Sequence, residues 1–377
     1  MVDKITKVTE KGFFSTLGES IKKVLAGLAL FFLAFPLLLF NECRSVQTAK
    51  SLDEGSGLVV EVDSASVDPG NQGKLVHISG EAKTVETLKD PVLAVEAKGL
   101  RLERSVEMYQ WLEREEKKTK DGKEYTTFYY EKGWSPNLVD YTDFEEQNGH
   151  VNPASMPFTT ESWAVSRATV GAWQMSADQI LKLSNWEGVA VSDDMAAAGG
   201  GKAHNGMLYI GPDPATPTIG DTRIEYEAVP EGPVSLVGRQ TSSTMEAYQT
   251  EAGDKLLLVR SGVMSAEAMF QAAHDDNVLL TWILRFVGFL MMFVGLGLLF
   301  GPVKVIADRV PFFGPAISGG VGLFAFLLAA FLSLFTIAVS WIVARPLVGV
   351  LLLIASLGAF AGVIMLVRRA KGAAAAA

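Results

Sequence analysis

Four long apolar runs are the feature that most constrains this chain. One lies near the N-terminus, at 23–40, and three follow one another toward the C-terminus, at 278–303, 319–344 and 346–367. A helix that crosses a bilayer needs about 20 mostly apolar residues, and each run has that length or nearly so. The pattern therefore predicts an α+β membrane protein with four transmembrane helices and a large, mainly-β extramembrane domain inserted between helices 1 and 2.

The apolar runs and the charges beside them divide the chain into eight predicted segments. They are a cytoplasmic amphipathic lead-in (1–22), transmembrane helix 1 (23–41), a periplasmic or lumenal mainly-β domain ending in a short helix (42–277), transmembrane helix 2 (278–303), a cytoplasmic interfacial loop (304–318), transmembrane helix 3 (319–344), transmembrane helix 4 (345–367) and a cytoplasmic tail (368–377).

The charge distribution predicts the orientation. Between residues 44 and 277 there are 37 Asp and Glu but only 21 Lys and Arg, although the whole chain has a net charge of −9. Basic residues cluster before the first run, between the second and third, and after the fourth, where short basic segments mark the cytoplasmic side. Both termini are therefore predicted inside and the acidic domain outside the cytoplasm. An acidic domain disfavours nucleic acid as a partner.

Short β-branched runs separated by turn formers predict that the inserted domain is mainly β. The best hairpin prediction joins 101–115 to 124–134 through the charged KKTKDGK segment, which contains Asp-Gly. Helical spacing after Ser176 and Ser265 predicts short helices over 175–186 and 265–276. Apolar residues at helical spacing around Leu17 and Ile21 predict the amphipathic lead-in.

No motif for catalysis, metal binding or a cofactor is present. The four histidines have no ligand spacing, and the GGGK segment at 199–202 lacks the phosphate-loop spacing. No Gly-x-Ser-x-Gly motif supports a serine nucleophile. The predicted spans contain no acidic residue, which disfavours an ion-coupled transporter. The interpretation is a protein that is not an enzyme and needs no cofactor.

The membrane boundary carries three candidate junction residues, which are Arg44, Arg285 and Arg345. Arg285 lies about one turn inside its span, so it either reaches the polar boundary or acts as a structural or pore-lining charge. Its expected partners are lipid headgroups or the acidic residues Asp275 and Asp276. The single cysteine, Cys43, excludes an intrachain disulfide and is interpreted as interfacial, with an intersubunit disulfide or lipidation as the alternative.

Small residues at helical spacing are the candidate helix-packing positions of the spans, because they permit close approach of helices in lipid. They are Gly297, Gly301, Ala325, Ala329, Ser333, Gly358 and Gly362.

Eight sequence blocks, in order along the chain, resemble the transmembrane protein 43 (LUMA) family. They are NECRSVQTAKSLDEG (41–55), GKLVHISG (73–80), VEMYQWLEREE (106–116), GHVNPASMP (149–157), GDTRIEYEAV (220–229), GDKLLLVRSGVMSAEAMF (253–270), TWILRFVGFLMMFVGLGLL (281–299) and ARPLVGVLL (344–352). The chain departs from the family at Cys43, where glycine is usual. The resemblance implies a four-span endomembrane protein with a lumenal domain, and no catalytic residues to carry over.

Three functions follow from these observations. The first is a non-enzymatic membrane scaffold that self-associates and organises other membrane proteins; the resemblance adds nuclear and endomembrane organisation where a nucleus exists. The second is an ion channel or channel subunit, with Ser333, Thr336 and Ser340 as candidate pore positions. The third is a periplasmic or lumenal enzyme. The expected location is the bacterial inner membrane in a prokaryote, or the endoplasmic reticulum and inner nuclear membrane in a eukaryote.

Overall fold

The computed structural model describes residues 3–10, 13–120, 123–307, 314–344, 350–351, 354–355, 357–358 and 361–362. The chain forms two compact units. The β-rich unit contains Met1–Glu10, Gly55–Thr250 and Lys255–Phe270, and the helical unit contains Lys11–Glu54, Glu251–Asp254 and Gln271–Ala377.

The described helices are α1 Phe13–Leu58, α2 Ala177–Lys182, α3 Asp193–Ala198, α4 Ala266–Leu299, α5 Gly301–Ala307 and α6 Gly314–Ala344. The strands are β1 Asp3–Glu10, β2 Val60–Glu61, β3 Leu75–Lys83, β4 Leu88–Lys89, β5 Glu96–Ala97, β6 Arg101–Lys120, β7 Lys123–Ser135, β8 Glu161–Ala164, β9 Ala168–Val170, β10 Trp173–Met175, β11 Glu187–Val189, β12 Lys202–His204, β13 Met207–Ile210, β14 Thr222–Val229, β15 Gly232–Thr241, β16 Thr244–Glu246, β17 Tyr248–Gln249, β18 Lys255–Leu256 and β19 Leu258–Ser261.

Two main sheets share one hydrophobic core in the β-rich unit. The larger sheet has the order β1-β7-β6-β14-β13-β12, with β11 added on β14 and β8 on β6, and the second has the order β19-β15-β16-β10-β9-β3-β2. Along β6 the buried positions alternate, as at Leu102 and Val106, because successive side chains of a strand point to opposite faces. These residues join Ile78 of β3 and Trp173 of β10 in the core.

The predicted hairpin over 101–134 is confirmed and is longer than the sequence indicated. Strands β6 and β7 pair in antiparallel register from Met108↔Ser135 to Lys120↔Lys123. The predicted helix after Ser176 is confirmed as α2, where Ser176 and Gln179 form a reciprocal capping box. The predicted helix over 265–276 is the first part of α4, which continues without a break into the second apolar run.

The first part of the predicted lead-in, 1–22, is a strand. Residues 3–10 are not helical; they form β1, which pairs along its whole length with β7. The buried ring of His150 has its Nε2 3.3 Å from the Asp3 carboxylate, and Lys7 is paired with Glu145. The partner strand is more than a hundred residues away in the chain, so local periodicity could not identify it.

The helical unit contains the helices that have the length and hydropathy of membrane spans. Three such helices occur among the described residues: Leu17–Leu58 within α1, Ala266–Leu299 and Gly320–Ile342 within α6. Their core joins Ala34 and Leu38 of α1 to Met292 of α4 and Ala325 of α6. Helix α1 extends well beyond the predicted boundary at residue 41. Most of the predicted fourth span, 345–367, lies outside the described residues. Of the predicted 304–318 loop, residues 304–307 belong to α5 and 314–318 to α6, and 308–313 lie outside the described residues.

Candidate functional site

A buried ion pair joins the first two apolar helices of the helical unit. Glu42 on α1 is 1% exposed, and both of its carboxylate oxygens accept from Arg285 on α4, with Nε at 2.7 Å and Nη2 at 2.8 Å. The indole N–H of Trp341 on α6 donates to the same carboxylate. A bidentate arginine–carboxylate pair is among the stronger charge-assisted interactions, so one carboxylate ties three helices together.

This pair corrects the expected partners of Arg285. The partner is Glu42 rather than a lipid headgroup, Asp275 or Asp276, and Asp275 instead accepts from Gln271 at 2.9 Å. Glu42 follows the apolar run by two residues, so the predicted span excluded it, although α1 continues past it as a helix. The guanidinium of Arg285 also lies 4.8 Å from the Trp282 ring centroid. Arg285 therefore acts as a structural charge within the protein.

A second layer of polar contacts surrounds Arg44, one half-turn further along α1. Its Nη1 donates to Asn277 Oδ1 at 3.0 Å and its Nη2 to Thr281 Oγ1 at 3.2 Å. The amide of Asn41 donates to the Thr281 carbonyl at 3.1 Å, and the Asn277 amide donates to the Ser45 carbonyl at 2.9 Å. These contacts cross-link α1 and α4 where their apolar stretches end. We call Asn41, Glu42, Arg44, Ser45, Asn277, Thr281, Arg285 and Trp341 the polar junction.

The predicted packing residues fall into two groups. Ala325, Ala329 and Ser333 are buried within this chain, and Ser333 Oγ donates to the Ala329 carbonyl at 2.6 Å and lies 3.5 Å from Met292 Sδ. A Cβ at Gly301 would meet Ser20 Oγ at 2.7 Å. Gly297, Gly358 and Gly362 instead have open space where a Cβ would lie. Arg345 lies outside the described residues.

Helices α1 and α4 also pack against each other at glycines that the sequence analysis did not single out. A Cβ on Gly295 would lie 2.8 Å from the Gly27 carbonyl oxygen, and one on Gly27 would lie 2.8 Å from the Gly295 oxygen. A Cβ on Gly288 would lie 2.6 Å from Leu38. These contacts of Gly27 and Gly295 are with backbone atoms, so a Cβ at either position requires the backbone to move, whereas at Gly288 the Leu38 side chain would have to move. These glycines lie within apolar runs, and local sequence does not indicate which of them face each other across two helices.

The β-rich unit contains its own buried charge. Asp90 and Arg104 are 0% and 2% exposed, with Arg104 Nη1 donating to Asp90 Oδ2 at 2.7 Å and the Tyr226 hydroxyl donating to the same oxygen at 2.7 Å. Burial by itself raises the pKa of Asp90, but hydrogen bonds from Tyr226, the Val92 and Leu93 N–H groups and Arg104 outweigh it, and the pKa lies below its usual value. Sequence analysis missed this cluster because its members come from separate strands and loops.

A serine and a histidine meet in the β-rich unit without forming a catalytic pair. His77 Nε2 is 3.4 Å from Ser79 Oγ, and Glu61 is 3.7 Å from Nδ1. However, Nε2 also lies 2.9 Å from the Met264 carbonyl oxygen, which can only accept, so Nε2 carries the proton and cannot act as a base toward Ser79. Ser79 itself donates to the same carbonyl at 3.0 Å. Burial lowers the pKa of His77, which keeps the ring neutral.

The aromatic residues of the hairpin are partnered by cations on its faces. Arg223 lies 4.6 Å from the Trp134 ring, Lys132 lies 4.8 Å from Trp111, and Arg114 lies 4.6 Å from Tyr129. Arg223 also lines a surface cleft of about 650 Å³, together with Glu107 and Glu225. In the described part of the chain, no group of three or more His, Cys, Asp or Glu residues has the arrangement of a metal site.

Comparison with known proteins identifies the family. The model of the family described as "Transmembrane protein 43" matches residues 108–346. Transmembrane protein 43 of Mus musculus is 34% identical over 365 residues, covering 91% of this chain and 90% of the mouse protein. The Homo sapiens protein is 33% identical with the same coverage, and the Drosophila melanogaster homolog is 30% identical over 90% of this chain and 95% of its own length. No solved structure matches.

The family match and the apolar helices together make this an integral membrane protein. The predicted resemblance is confirmed by full-length relatives from insect to mammal. The chain belongs to the transmembrane protein 43 family.

Proposed function

We propose that this protein is a non-enzymatic membrane scaffold that self-associates, and that it presents its β-rich unit as a binding surface for other membrane proteins. The observation that carries the proposal is the polar junction. Its only carboxylate, Glu42, is buried and accepts from both Arg285 and Trp341, so it stabilises helix packing. A carboxylate bound in this way is unsuited to moving ions or protons, whereas it gives the helices a fixed arrangement.

The hydroxyl groups of α6 favour a scaffold over a channel. Ser333, Thr336 and Ser340 are the candidate pore positions, and each donates to a carbonyl four residues earlier in its own helix, at 2.6, 2.7 and 2.9 Å. All three are at most 8% exposed. Hydroxyl groups that are buried and bonded to their own helix do not offer hydrogen bonds to a permeating ion.

Self-association is supported by apolar side chains that this chain leaves uncovered. Leu25 and Phe32 on α1 and Phe286 on α4 are each at least 60% exposed. Gly358 and Gly362 lie four residues apart with open space beside them. Small residues at this spacing permit close contact between helices in lipid. We infer that identical neighbours pack against these positions.

Replacing Gly358 and Gly362 together with leucine is expected to shift the protein toward smaller assemblies, because the added side chains prevent close helix contact. Native mass spectrometry of the full chain from nanodiscs measures the change. Gly322→Leu is the matched control, since Gly322 also has open space beside it but lies on α6. Equal shifts in both variants, or a wild-type protein that is monomeric at every concentration, contradict the proposal.

We further propose that the β-rich unit lies outside the cytoplasm, based on the basic segments around Lys304 and Arg368. The Asp121→Cys variant is expected to react with an impermeant reagent from the outer side in sealed vesicles, and the Lys371→Cys variant is not. Cys43→Ser is the parent for both variants. Labelling of Lys371→Cys alone from the outer side overturns the orientation.

A further inference from the structure

Arg44 is the cation that the polar junction leaves without a countercharge. The junction contains two arginines and one glutamate, and Glu42 is fully engaged by Arg285 and Trp341. The partners of Arg44 are the neutral side chains of Asn41, Asn277 and Thr281, and no carboxylate among the described residues lies within ion-pair distance of it. The junction therefore has a local net charge of about +1, which an anion would neutralise.

The position of Arg44 in the chain indicates where that anion comes from. Arg44 follows the apolar run of α1 by one turn, after Phe40, whose side chain is 66% exposed. On α4, the exposed Leu279 and Trp282 flank Thr281, which accepts from Arg44. Tryptophan is enriched at the level of lipid headgroups, and apolar exposed side chains face the acyl chains below them. Arg44 therefore lies at the depth of the lipid phosphates.

The guanidinium of Arg44 keeps one donor for a further acceptor. Its bonds to Asn277, Thr281 and Asn41 fix its orientation and use one N–H of Nη1 and both N–H groups of Nη2. The second N–H of Nη1 therefore remains to donate, and a charge-assisted bond from arginine to a phosphate oxygen is among the stronger hydrogen bonds in proteins.

We propose that Arg44 binds a phosphate group, and that its source is the headgroup of an anionic phospholipid in the leaflet next to the polar junction. The lipid neutralises the junction and fixes the depth at which α1 and α4 sit in the bilayer. This inference does not depend on self-association, since every contact it uses lies within one chain.

The test measures lipid retention by the full chain in nanodiscs that contain equal amounts of phosphatidylglycerol and phosphatidylcholine. Native mass spectrometry of the wild type is expected to show preferential retention of phosphatidylglycerol. Arg44→Gln is expected to reduce that preference about tenfold, the effect of losing one charge-assisted contact. Lys50→Gln, which removes an exposed cation from the same helix, is the matched control and is expected to leave the preference unchanged.

A second measurement distinguishes the source of the phosphate. Thermal unfolding of the delipidated chain in neutral detergent is followed with inorganic phosphate, with sulfate as the control anion. Stabilisation of the wild type by phosphate, lost in Arg44→Gln, without any preference for phosphatidylglycerol in nanodiscs would reassign the site to a free phosphate and overturn the lipid proposal. Equal lipid preference in wild type and Arg44→Gln also overturns it. If Arg44→Gln does not fold, the salt dependence of the wild type decides: a preference for phosphatidylglycerol that does not weaken as the ionic strength rises contradicts the charge-based site.

Discussion

Glu42→Gln is expected to destabilise the helical unit by about 3–5 kcal/mol, because it leaves the Arg285 guanidinium largely buried without its countercharge. Arg285→Gln is expected to destabilise the helical unit by a similar amount, because it leaves the Glu42 carboxylate buried without its countercharge. The double variant is expected to be more stable than the sum of the two single losses predicts, since it contains no unpaired charge. Thermal unfolding of the full chain in detergent, followed by tryptophan fluorescence, measures all four members of the cycle.

Two further variants test whether the stabilisation comes from the bidentate bond between Arg285 and Glu42. Arg285→Lys is expected to lose a large part of the stabilisation, because an ammonium group cannot make the two parallel bonds to Oε1 and Oε2 of Glu42. Arg239→Lys, in the exposed pair with Glu246, is the matched control and is expected to have no measurable effect. Additive losses in the double variant, or a normal Arg285→Lys protein, would show that Arg285 only reaches the polar boundary.

Arg104→Met is expected to destabilise the β-rich unit by about 3–5 kcal/mol. The change leaves the Asp90 carboxylate fully buried without the guanidinium that now lies 2.7 Å away. Asp90→Asn is expected to cost about as much, because it leaves Arg104 with only the half-exposed Glu161 as an ion-pair partner. Chemical denaturation of the full chain, with the near-ultraviolet circular dichroism of the aromatic core as the signal, measures both losses.

The exposed pair of Lys89 and Glu96 supplies the control for this cluster. Its two side chains are both about half exposed, so Lys89→Met removes a cation one residue from Asp90 in the chain with little expected effect. The double variant Asp90→Asn with Arg104→Met is expected to recover part of the combined loss, because two neutral groups replace an unpaired charge. If Arg104→Met unfolds at the same denaturant midpoint as the wild type, Tyr226 and the Val92 and Leu93 N–H groups satisfy Asp90 without the arginine.

Several features of the fold and junction followed directly from the sequence. Apolar length alone predicted the three helices that the described residues contain, because only a bilayer favours such uninterrupted runs. Strand-like runs joined by a charged segment that contains Asp-Gly predicted the β6–β7 hairpin, and Ser176 predicted the start of α2. The unusual position of Arg285 inside an apolar run identified it as a residue that needs a partner.

The tertiary structure decided which residues contact each other. It placed Glu42 opposite Arg285, Gly27 opposite Gly295 and β1 beside β7, and each pairing joins residues that are far apart in the chain. Local patterns depend on neighbours within a few residues, so they determine which segments are helices, strands and spans. Pairing of buried charges, close contact of glycines and addition of an edge strand depend on which faces meet after folding, and only the folded chain fixes those.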